Sequence, residues 1–216
     1  MVQIARKGIL FILAGPTASG KTTVGEYLLG HFDNLSLSVS STTRDPREGE
    51  VDGVSYNFTT REEFERGIRE GVFFEWEEVH GNLYGTLMQA LEDAIEGGRD
   101  LFLAIDINGA LKVKKAFPRN VVLSFILPPS AEVMIERVKK RGFVSEEELS
   151  KRLITARSEY RLLLDIARDP SKVDYIVIND ELHDTCYTAK AIVEAERKRI
   201  HRLDYDALRD LCRIDQ

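Results

Sequence analysis

The sequence is poor in cysteine and has no long apolar run. Its two cysteines, Cys186 and Cys212, are too few for a disulfide framework and have no metal-ligand spacing around them. No apolar segment approaches the roughly 20 residues that a membrane-spanning helix needs. The polar start at residues 1–7 does not have the pattern of a signal peptide. We therefore expect a cytoplasmic protein without a membrane partner.

Positive charge is also in deficit, because 30 Lys and Arg stand against 36 Asp and Glu and give a net charge of −6. A nucleic-acid-binding surface takes most of its affinity from clustered basic residues, so this balance argues against a nucleic-acid partner. The basic run at 197–199 is more typical of the end of a solvated helix. Repeats and low-complexity tracts are absent as well. The 216 residues are expected to form one domain around one sizeable core.

Short apolar runs alternate with helix-like stretches along much of the chain. The run at 9–14 is unbroken, as in a strand that is covered on both faces, and a helical pattern at 21–32 follows it. This alternation predicts an α/β fold with a doubly wound parallel sheet and right-handed crossovers. The other strand-like runs lie at 35–39, 101–105, 121–127 and 175–178, with helical stretches such as 87–96 and 131–140 between them.

Two intervals interrupt the alternation. Residues 41–86 contain turn-forming prolines and glycines, strand-like aromatic pieces and a capping box, Thr60-x-x-Glu63, that predicts the start of a helix. Residues 137–168 are charged and helical, as in a mobile lid. We therefore expect 41–86 to be an inserted acceptor-binding subdomain and 137–168 to be a lid. The remaining parts are a core of about 8–40, 87–136 and 169–200, and a helical tail at about 201–216.

A glycine-rich loop follows the first predicted strand and precedes the first predicted helix. The octapeptide Gly15-Pro16-Thr17-Ala18-Ser19-Gly20-Lys21-Thr22 matches the pattern G-x-x-x-x-G-K-[ST]. In this pattern backbone N–H groups and a helix N-terminus surround the phosphates of a nucleoside triphosphate. We expect Lys21 to reach the β- and γ-phosphates, Thr22 to supply a hydroxyl to Mg²⁺, and Thr23 to belong to the same binding segment. The loop alone does not identify the phosphate acceptor.

A pair of arginines follows the second predicted strand. Arg44 and Arg47 flank Pro46 at the end of that strand, where ligands bind in open α/β sheets. Because proline keeps the segment non-helical, both guanidinium groups can converge on one phosphate. Taken alone, however, the pair is more typical of a polar surface loop.

Four motifs occur in a fixed order, and together they are a more specific signal than the arginine pair alone. The motifs are Ser40-Ser41-Thr42-Thr43-Arg44-x-Pro46-Arg47-x-Gly49-Glu50, Gly53-x-x-Tyr56-x-Phe58, Phe74-Glu75-Trp76 and Gly81-Asn82-x-Tyr84-Gly85-Thr86. In residues and in order, all four resemble segments of the guanylate kinase family. With the phosphate loop and the lid, the resemblance covers roughly residues 8–195.

This resemblance implies an enzyme with a P-loop kinase fold that transfers the γ-phosphoryl group of ATP to GMP with Mg²⁺. It implies that Glu75 and Thr86 meet the guanine. Guanine presents N1–H and a 2-amino group side by side, and one carboxylate can accept from both, whereas adenine would leave Glu75 unpaired. The residues implied to hold the rest of GMP, chiefly its phosphate, are Ser40, Arg44, Arg47, Glu50, Tyr56 and Tyr84.

Three arginines in the predicted lid are implied to take part in the transfer. Arg137 and Arg141 are four residues apart and share a helix face, and Arg152 lies beyond a second capping box, Ser145-x-x-Glu148. A closing lid would bring them onto the transferring oxygens, where alignment and positive charge are needed. Exposed salt bridges with neighbouring glutamates are the alternative role for each of them.

Two polar residues follow later strands, and three positions depart from the family. Asp106 is expected to have an active-site role near magnesium or the acceptor arginines, and Asn179 resembles the adenine-side residue of the family. Ala18 replaces a common loop glycine, Ala104 replaces a usual acidic residue, and Asn108 replaces a usual glutamine. A variant with altered acceptor choice is therefore an alternative.

Three other functions were compared with this interpretation. A kinase of the same fold acting on another nucleoside monophosphate or a sugar phosphate is the strongest alternative. A tRNA prenyltransferase shares the phosphate-loop pattern, but the chain is short for it and lacks a basic RNA-facing stretch. A non-catalytic guanylate-kinase-like interaction module typically lacks the phosphate loop, which is present here. A homo-oligomer is compatible with the sequence.

Overall fold

The computed structural model describes residues 5–79, 81–140 and 146–212. These residues form two sheets surrounded by helices, with a short 3₁₀ turn at Ile200–Arg202. In chain order the elements are β1 (Leu10–Ala14), α1 (Lys21–His31), β2 (Leu35–Leu37), β3 (Ser41–Thr42), β4 (Asn57–Phe58), α2 (Arg61–Arg69), β5 (Phe73–Val79), β6 (Asn82–Leu87), α3 (Met88–Glu96), β7 (Asp100–Leu103), α4 (Ile107–Ala116), β8 (Val121–Leu127), α5 (Ala131–Lys140), α6 (Glu146–Ile166), β9 (Tyr175–Ile178), α7 (Leu182–Glu196) and α8 (Tyr205–Leu211).

The larger sheet has five parallel strands in the order β2-β7-β1-β8-β9. Its central strand β1 is buried along its whole length, because helices cover both faces. Leu10 and Ile12 pack on one face with residues of α3, α4 and α6, while Phe11 and Leu13 pack on the other with residues of α1 and α7. The prediction of a parallel α/β core from unbroken apolar runs is confirmed.

Several predicted boundaries were wrong by a few residues. The strand predicted at 101–105 spans Asp100–Leu103, because the chain leaves the sheet at Ala104 to reach Asp106, whose side chain caps α4. The strand predicted at 35–39 ends at Leu37, and the helix predicted from 87 begins at Met88 because Leu87 still pairs with Phe73 in the second sheet.

The second sheet is built within residues 41–87. Its four strands have the order β4-β3-β6-β5, in which β3 runs parallel to β4 and antiparallel to β6. The predicted capping box forms at α2, where the Thr60 side chain accepts from the Glu63 N–H and the Glu63 carboxylate accepts from the Thr60 N–H. This small sheet supplies one wall of the acceptor cavity described below.

The predicted tail contains α8 and lies at the N-terminal ends of the parallel strands, away from the phosphate loop. The Lys7 N–H donates to the Arg202 carbonyl at 3.0 Å, and the Asp204 N–H donates to the Ala5 carbonyl at 2.7 Å. The buried Arg202 guanidinium pairs with Glu196 at 2.6 Å. None of the helices in the described ranges is both long and apolar enough to cross a membrane.

A buried carboxylate at the same end corrects one sequence-based expectation. Asp100 is fully buried and accepts from Arg6 at 2.7 Å, from Arg197 at 2.7 Å and from the Ile9 N–H at 3.0 Å. Arg197 also lies over the ring of Phe32. The expectation that the run at 197–199 is merely solvated is therefore wrong for Arg197, because a distant buried partner holds it.

Replacing Asp100 with asparagine is expected to lower the free energy of unfolding by about 3 kcal/mol, because it leaves two guanidinium groups without their buried counter-charge. Urea denaturation of the two proteins measures the difference. The matched control is Glu65→Gln, which removes an exposed i,i+4 partner of Arg61 and should cost under about 1 kcal/mol. Equal stabilities of the Asp100 variant and the parent chain would contradict this account of the buried cluster.

Candidate active site

The phosphate loop connects β1 to α1 in a conformation that requires glycine at two positions. Gly15 has φ of +138° and Gly20 has φ of +100°. A Cβ on Gly15 would lie 2.1 Å from the Ile126 carbonyl oxygen, and a Cβ on Gly20 would lie 2.2 Å from the Asn179 side-chain nitrogen. Ala18 has φ of +58°, so it keeps the left-handed turn in which glycine is more common. The departure at Ala18 therefore leaves the loop path intact.

The lysine of the loop lies over the bend. Its ammonium group donates to the Gly15 carbonyl and, at 2.9 Å, to the Pro16 carbonyl. Thr22 and Thr23 are exposed on the first turn of α1, so their hydroxyl groups are accessible to a ligand. The loop thus presents an ammonium group, a helix N-terminus and hydroxyl groups on one side, which is a suitable environment for a polyphosphate.

Asn179 ties the loop to the end of β9. Its buried amide donates to the Ser19 carbonyl at 2.7 Å and accepts from the Thr185 hydroxyl at 3.0 Å. The Arg137 guanidinium donates to the carbonyls of Asn179 and Asp180, each at 2.9 Å. A shallow cavity of about 380 Å³ opens beside them. Its lining residues are Ala18, Gly20, Thr23, Arg137, Lys140, Asn179, Asp180, Glu181 and Leu182.

A second cavity of about 390 Å³ opens between the small sheet and the C-terminal end of β7. Every residue predicted to bind the acceptor lines this cavity except Thr86, whose hydroxyl donates to Glu75 in the lining. Asp106 also lines the cavity. Four of its residues, Glu77, Gly85, Ala104 and Ile105, were not predicted to have a role in the site. The full lining is Ser40, Arg44, Arg47, Glu50, Tyr56, Glu75, Glu77, Tyr84, Gly85, Ala104, Ile105 and Asp106.

One end of this acceptor cavity is cationic, and a carboxylate there fixes the position of an arginine side chain. The Arg44 guanidinium donates to both oxygens of Glu50, at 2.8 and 2.9 Å, and lies 5.5 Å from the centre of the Tyr56 ring. The Arg47 N–H donates to Glu50 at 2.8 Å. Hydrogen bonds from Arg44 and then from the Arg47 backbone lower the pKa of Glu50. Because its oxygens hold Arg44, Glu50 is placed to orient the arginine rather than to contact a phosphate.

The other end of the cavity contains a half-buried carboxylate. Glu75 accepts from the Thr86 hydroxyl at 2.9 Å, and the two residues face each other across β5 and β6. Burial raises the pKa of Glu75, and the negative charges of Asp106 and Glu77 raise it further. A Cβ on Gly109 would lie 3.1 Å from a Glu75 oxygen, so a larger residue there would crowd this carboxylate. The sequence motifs gave no signal for Gly109.

Asp106 lines the acceptor cavity with both of its oxygens engaged. It accepts from the Gly109 N–H at 2.7 Å, which caps α4, and from the Asn108 amide at 3.2 Å. The asparagine at position 108 thus orients Asp106. Ala104, the third departure from the family pattern, lines the cavity beside it without adding a charge.

The long helix α6 brings one further carboxylate to the cleft. Glu159 lies between the buried residues Ala156 and Leu163 on the face that packs against the core. Burial raises its pKa, the positive charge of Lys21 lowers it, and the negative charge of Asp106 raises it. It was not predicted, because a charged helix does not indicate which of its acidic residues faces inward.

The predicted lid arginines are only partly described by the structure. Arg152 is partly buried on α6. Arg137 lies on α5, which Met134 and Val138 anchor to the core, and it donates to the carbonyls of Asn179 and Asp180. Arg141 and Ser145 lie outside the described residues, so their predicted roles are not located.

Comparisons with known proteins agree with this architecture. A family model described as guanylate kinase matches residues 7–196. The chain is 43% identical over 201 residues to the guanylate kinase of Caldanaerobacter subterraneus subsp. tengcongensis, which covers 93% of this chain and 94% of that protein. It is also 43% identical over 198 residues to the guanylate kinase of Desulfitobacterium hafniense, with 92% and 95% covered.

A solved structure gives the same result for the fold. The crystal structure of guanylate kinase from Anaplasma phagocytophilum superimposes with a TM-score of 0.70 at 31% identity and covers 98% of this chain and 99% of that one. The matches extend through the phosphate loop, the small sheet and α6. The chain therefore belongs to the guanylate kinase family and is an ATP-dependent nucleoside-monophosphate kinase.

Proposed function

We propose that this chain transfers the γ-phosphoryl group of ATP to GMP and forms ADP and GDP by in-line displacement. The observation that carries the proposal is the juxtaposition of the two half-sites. The phosphate loop follows β1, the acceptor cavity is closed by residues that follow β7, and these two strands are neighbours in the parallel sheet. A donor and an acceptor bound there would meet at the C-terminal edge of the sheet.

The donor half is proposed to bind ATP with Mg²⁺. Mg²⁺ prefers oxygen ligands, keeps several waters and takes few protein ligands when phosphates are bound. The exposed Thr22 hydroxyl fits this role, and no cluster of three or more His, Cys, Asp or Glu within the described residues offers a separate cage. Thr22 would hold the ion, which when bound would neutralise the charge that develops on the phosphate oxygens. Lys21 would hold the same oxygens from the loop side.

The acceptor half is proposed to hold GMP by its two ends. Arg44 and Arg47, with Tyr56 and Tyr84, would bind the phosphate through charge-assisted hydrogen bonds. Glu75 would accept from guanine N1–H and the 2-amino group, and Ser40 and Thr86 would complete the base site. The separation of the cationic end from Glu75 within one cavity supports this orientation.

The transfer itself asks little covalent chemistry of the protein. The attacking atom is a phosphate oxygen of GMP, which is ionised at neutral pH because its second pKa is about 6, so no general base is required. The protein would align the two phosphates and place positive charge around the oxygens in flight. Lys21 and the arginines at 137, 141 and 152 are proposed to supply that charge, the arginines after the lid closes.

Release of ADP across a panel of acceptors tests this proposal. The panel consists of GMP, dGMP, AMP, UMP, dTMP and a sugar phosphate, each offered with ATP and Mg²⁺. We expect a guanine nucleotide to have the highest kcat/KM. A higher value for any acceptor without guanine would contradict the proposal and would favour a kinase of the same fold with another substrate.

The state of the Glu75 carboxylate predicts a pH dependence of base binding. Only the ionised form accepts both guanine donors, and its pKa is raised chiefly by burial. Binding of guanosine should therefore weaken as the pH falls through a value above the ordinary pKa of about 4.3 for glutamate. Guanosine is the suitable probe because it lacks the phosphate of GMP. It would be measured as a competitive inhibitor between about pH 4.5 and 8.

The variant Glu75→Gln should bind guanosine weakly and with no such pH dependence. Glu92→Gln, which removes an exposed carboxylate from α3, is the control and should behave like the parent chain. An unchanged pH profile in Glu75→Gln would exclude Glu75 as the guanine acceptor.

A further inference from the structure

The acceptor cavity contains a carboxylate that the proposed roles do not use. Glu77 follows Glu75 by two residues on β5, so both side chains leave the same face of the strand. Its partner across the sheet is Tyr84, just as Thr86 is the partner of Glu75. Both Glu77 and Tyr84 line the cavity, and the charge of Glu77 acts on Glu75.

Glu77 differs from the other carboxylates of the cavity in having its acceptor capacity free. Glu50 is held by Arg44, Glu75 by Thr86, and Asp106 by the Gly109 N–H and Asn108. Within the described ranges, by contrast, the exposed Glu77 carboxylate has no hydrogen-bond or ion-pair partner. A free carboxylate in a cavity for an anion is unfavourable unless the ligand brings a hydrogen-bond donor to it.

The position of Glu77 indicates which part of GMP brings that donor. Glu75 lies at the base end, while Tyr84 packs against the ring of Tyr56, over which the Arg44 guanidinium lies at the phosphate end. Glu77 is two residues along β5 from Glu75 and directly opposite Tyr84, so a ligand that reaches from the base end to the phosphate end would pass it with its sugar. Glu75 takes the N1–H and the 2-amino group of GMP, and the phosphate has no donor when ionised. The ribose hydroxyl groups are the donors that remain.

We propose that Glu77 accepts a hydrogen bond from a ribose hydroxyl of the acceptor nucleotide and so determines specificity for the sugar. This inference rests on the proposed function, since it takes GMP as the acceptor. A hydrogen bond from a hydroxyl to an ionised group favours the ligand that makes it by about 10- to 100-fold over the ligand that lacks it. The chain would therefore select ribonucleotides over deoxyribonucleotides at this site.

The test compares kcat/KM for GMP, dGMP and 3′-deoxy-GMP with the full chain and saturating ATP. The dGMP measurement detects a bond from the 2′-hydroxyl, and the 3′-deoxy-GMP measurement detects one from the 3′-hydroxyl. We expect the parent chain to prefer GMP over one of them by at least about 10-fold. In Glu77→Ala this ratio should approach 1, and in Glu77→Gln, which keeps a weaker uncharged acceptor, it should be intermediate.

The neighbouring Glu78→Ala is the matched control. Glu78 leaves the other face of β5 and pairs with Arg61 at 3.2 Å, so its removal should leave the sugar ratio unchanged. Circular dichroism and the unfolding midpoint of each variant establish that it folds, and Glu77→Gln preserves the shape of the side chain if the alanine variant does not.

Two results would overturn the inference. One is a parent chain that uses all three nucleotides equally. The other is a Glu77→Ala variant that keeps the parental ratio or accelerates all three nucleotides by the same factor, which would show only relief of charge repulsion. Failure of the proposed function is distinguishable, because AMP or another acceptor would then exceed GMP in the parent chain whatever the sugar ratio.

Discussion

Replacing Lys21 with alanine is expected to lower kcat by about 10³-fold while the protein stays folded. The ammonium group lies at the phosphate loop on the carbonyls of Gly15 and Pro16, where it is placed to meet the β- and γ-phosphate oxygens. Removal of a preorganised positive group from a phosphoryl-transfer site typically costs two to five orders of magnitude in rate. Because the buried core does not depend on this side chain, the unfolding midpoint should change little.

Steady-state kinetics with varied ATP and GMP, together with thermal unfolding, measure both effects. Lys198→Ala is the matched control, since this exposed lysine follows α7 and is far along the chain from the phosphate loop. Activity retained within a factor of about ten in Lys21→Ala would show that the loop is not the donor site, because even one such donor is worth more.

The second large effect is expected at the acceptor end. Replacing Arg44 with alanine should lower kcat/KM for GMP by about 10² to 10³-fold, because it removes a phosphate-binding fork and also leaves Glu50 as an unpaired negative charge in the cavity. Lysine at this position keeps the charge but not the two-pronged geometry, so Arg44→Lys should be intermediate. The KM for ATP should be nearly unchanged in both variants.

A control and a double variant separate the loss of the phosphate-binding guanidinium from the effect of the unpaired Glu50 carboxylate. Arg69→Ala removes an exposed arginine at the end of α2 and should have no effect on GMP. Adding Glu50→Gln to Arg44→Ala should recover part of the lost activity, because it removes the unpaired carboxylate. A rise in the KM for ATP with an unchanged KM for GMP would contradict the assignment of Arg44 to the acceptor phosphate.

Local sequence patterns predicted the parts of the site that are contiguous in the chain. The unbroken run at β1 and the phosphate loop after it were recognisable because one buried strand and one glycine-dependent bend are both encoded within a few residues. The order of the four motifs predicted Arg44, Glu75 and Tyr84 as members of one site, and the structure brings them to one cavity. Their proposed roles in binding GMP still depend on the experiments above.

Residues brought to the site by distant parts of the chain were not predictable in this way. Glu159 lies on a helix whose charges are spread around it, and only packing against the core shows which carboxylate faces inward. Gly109 matters because α4 passes close to Glu75, a contact across 34 positions of sequence. Arg197 was misinterpreted for the same reason, since its partner Asp100 is nearly a hundred positions away.

The structure of the half-sites also explains how two of the departures from the family pattern, at positions 18 and 108, are tolerated. Ala18 occupies the left-handed conformation of the glycine it replaces, and Asn108 makes a hydrogen bond to Asp106. Within the described residues, neither side chain has a hydrogen bond to Glu75 or Thr86. Asn108 therefore acts on Glu75 only indirectly, through Asp106, whose negative charge raises the pKa of Glu75.

The ratio of kcat/KM for GMP to kcat/KM for AMP, measured in the parent chain and in Glu75→Gln, tests the central claim most directly. A site that hydrogen-bonds two donors of guanine should reject adenine by about 10⁴-fold, because AMP would leave the Glu75 carboxylate unpaired. Glutamine offers one neutral acceptor oxygen, so it cannot replace the carboxylate that accepts from both donors of guanine. The ratio should therefore fall by about 10²-fold or more in the variant. A parent ratio near 1, or a ratio that Glu75→Gln leaves unchanged, would contradict the account.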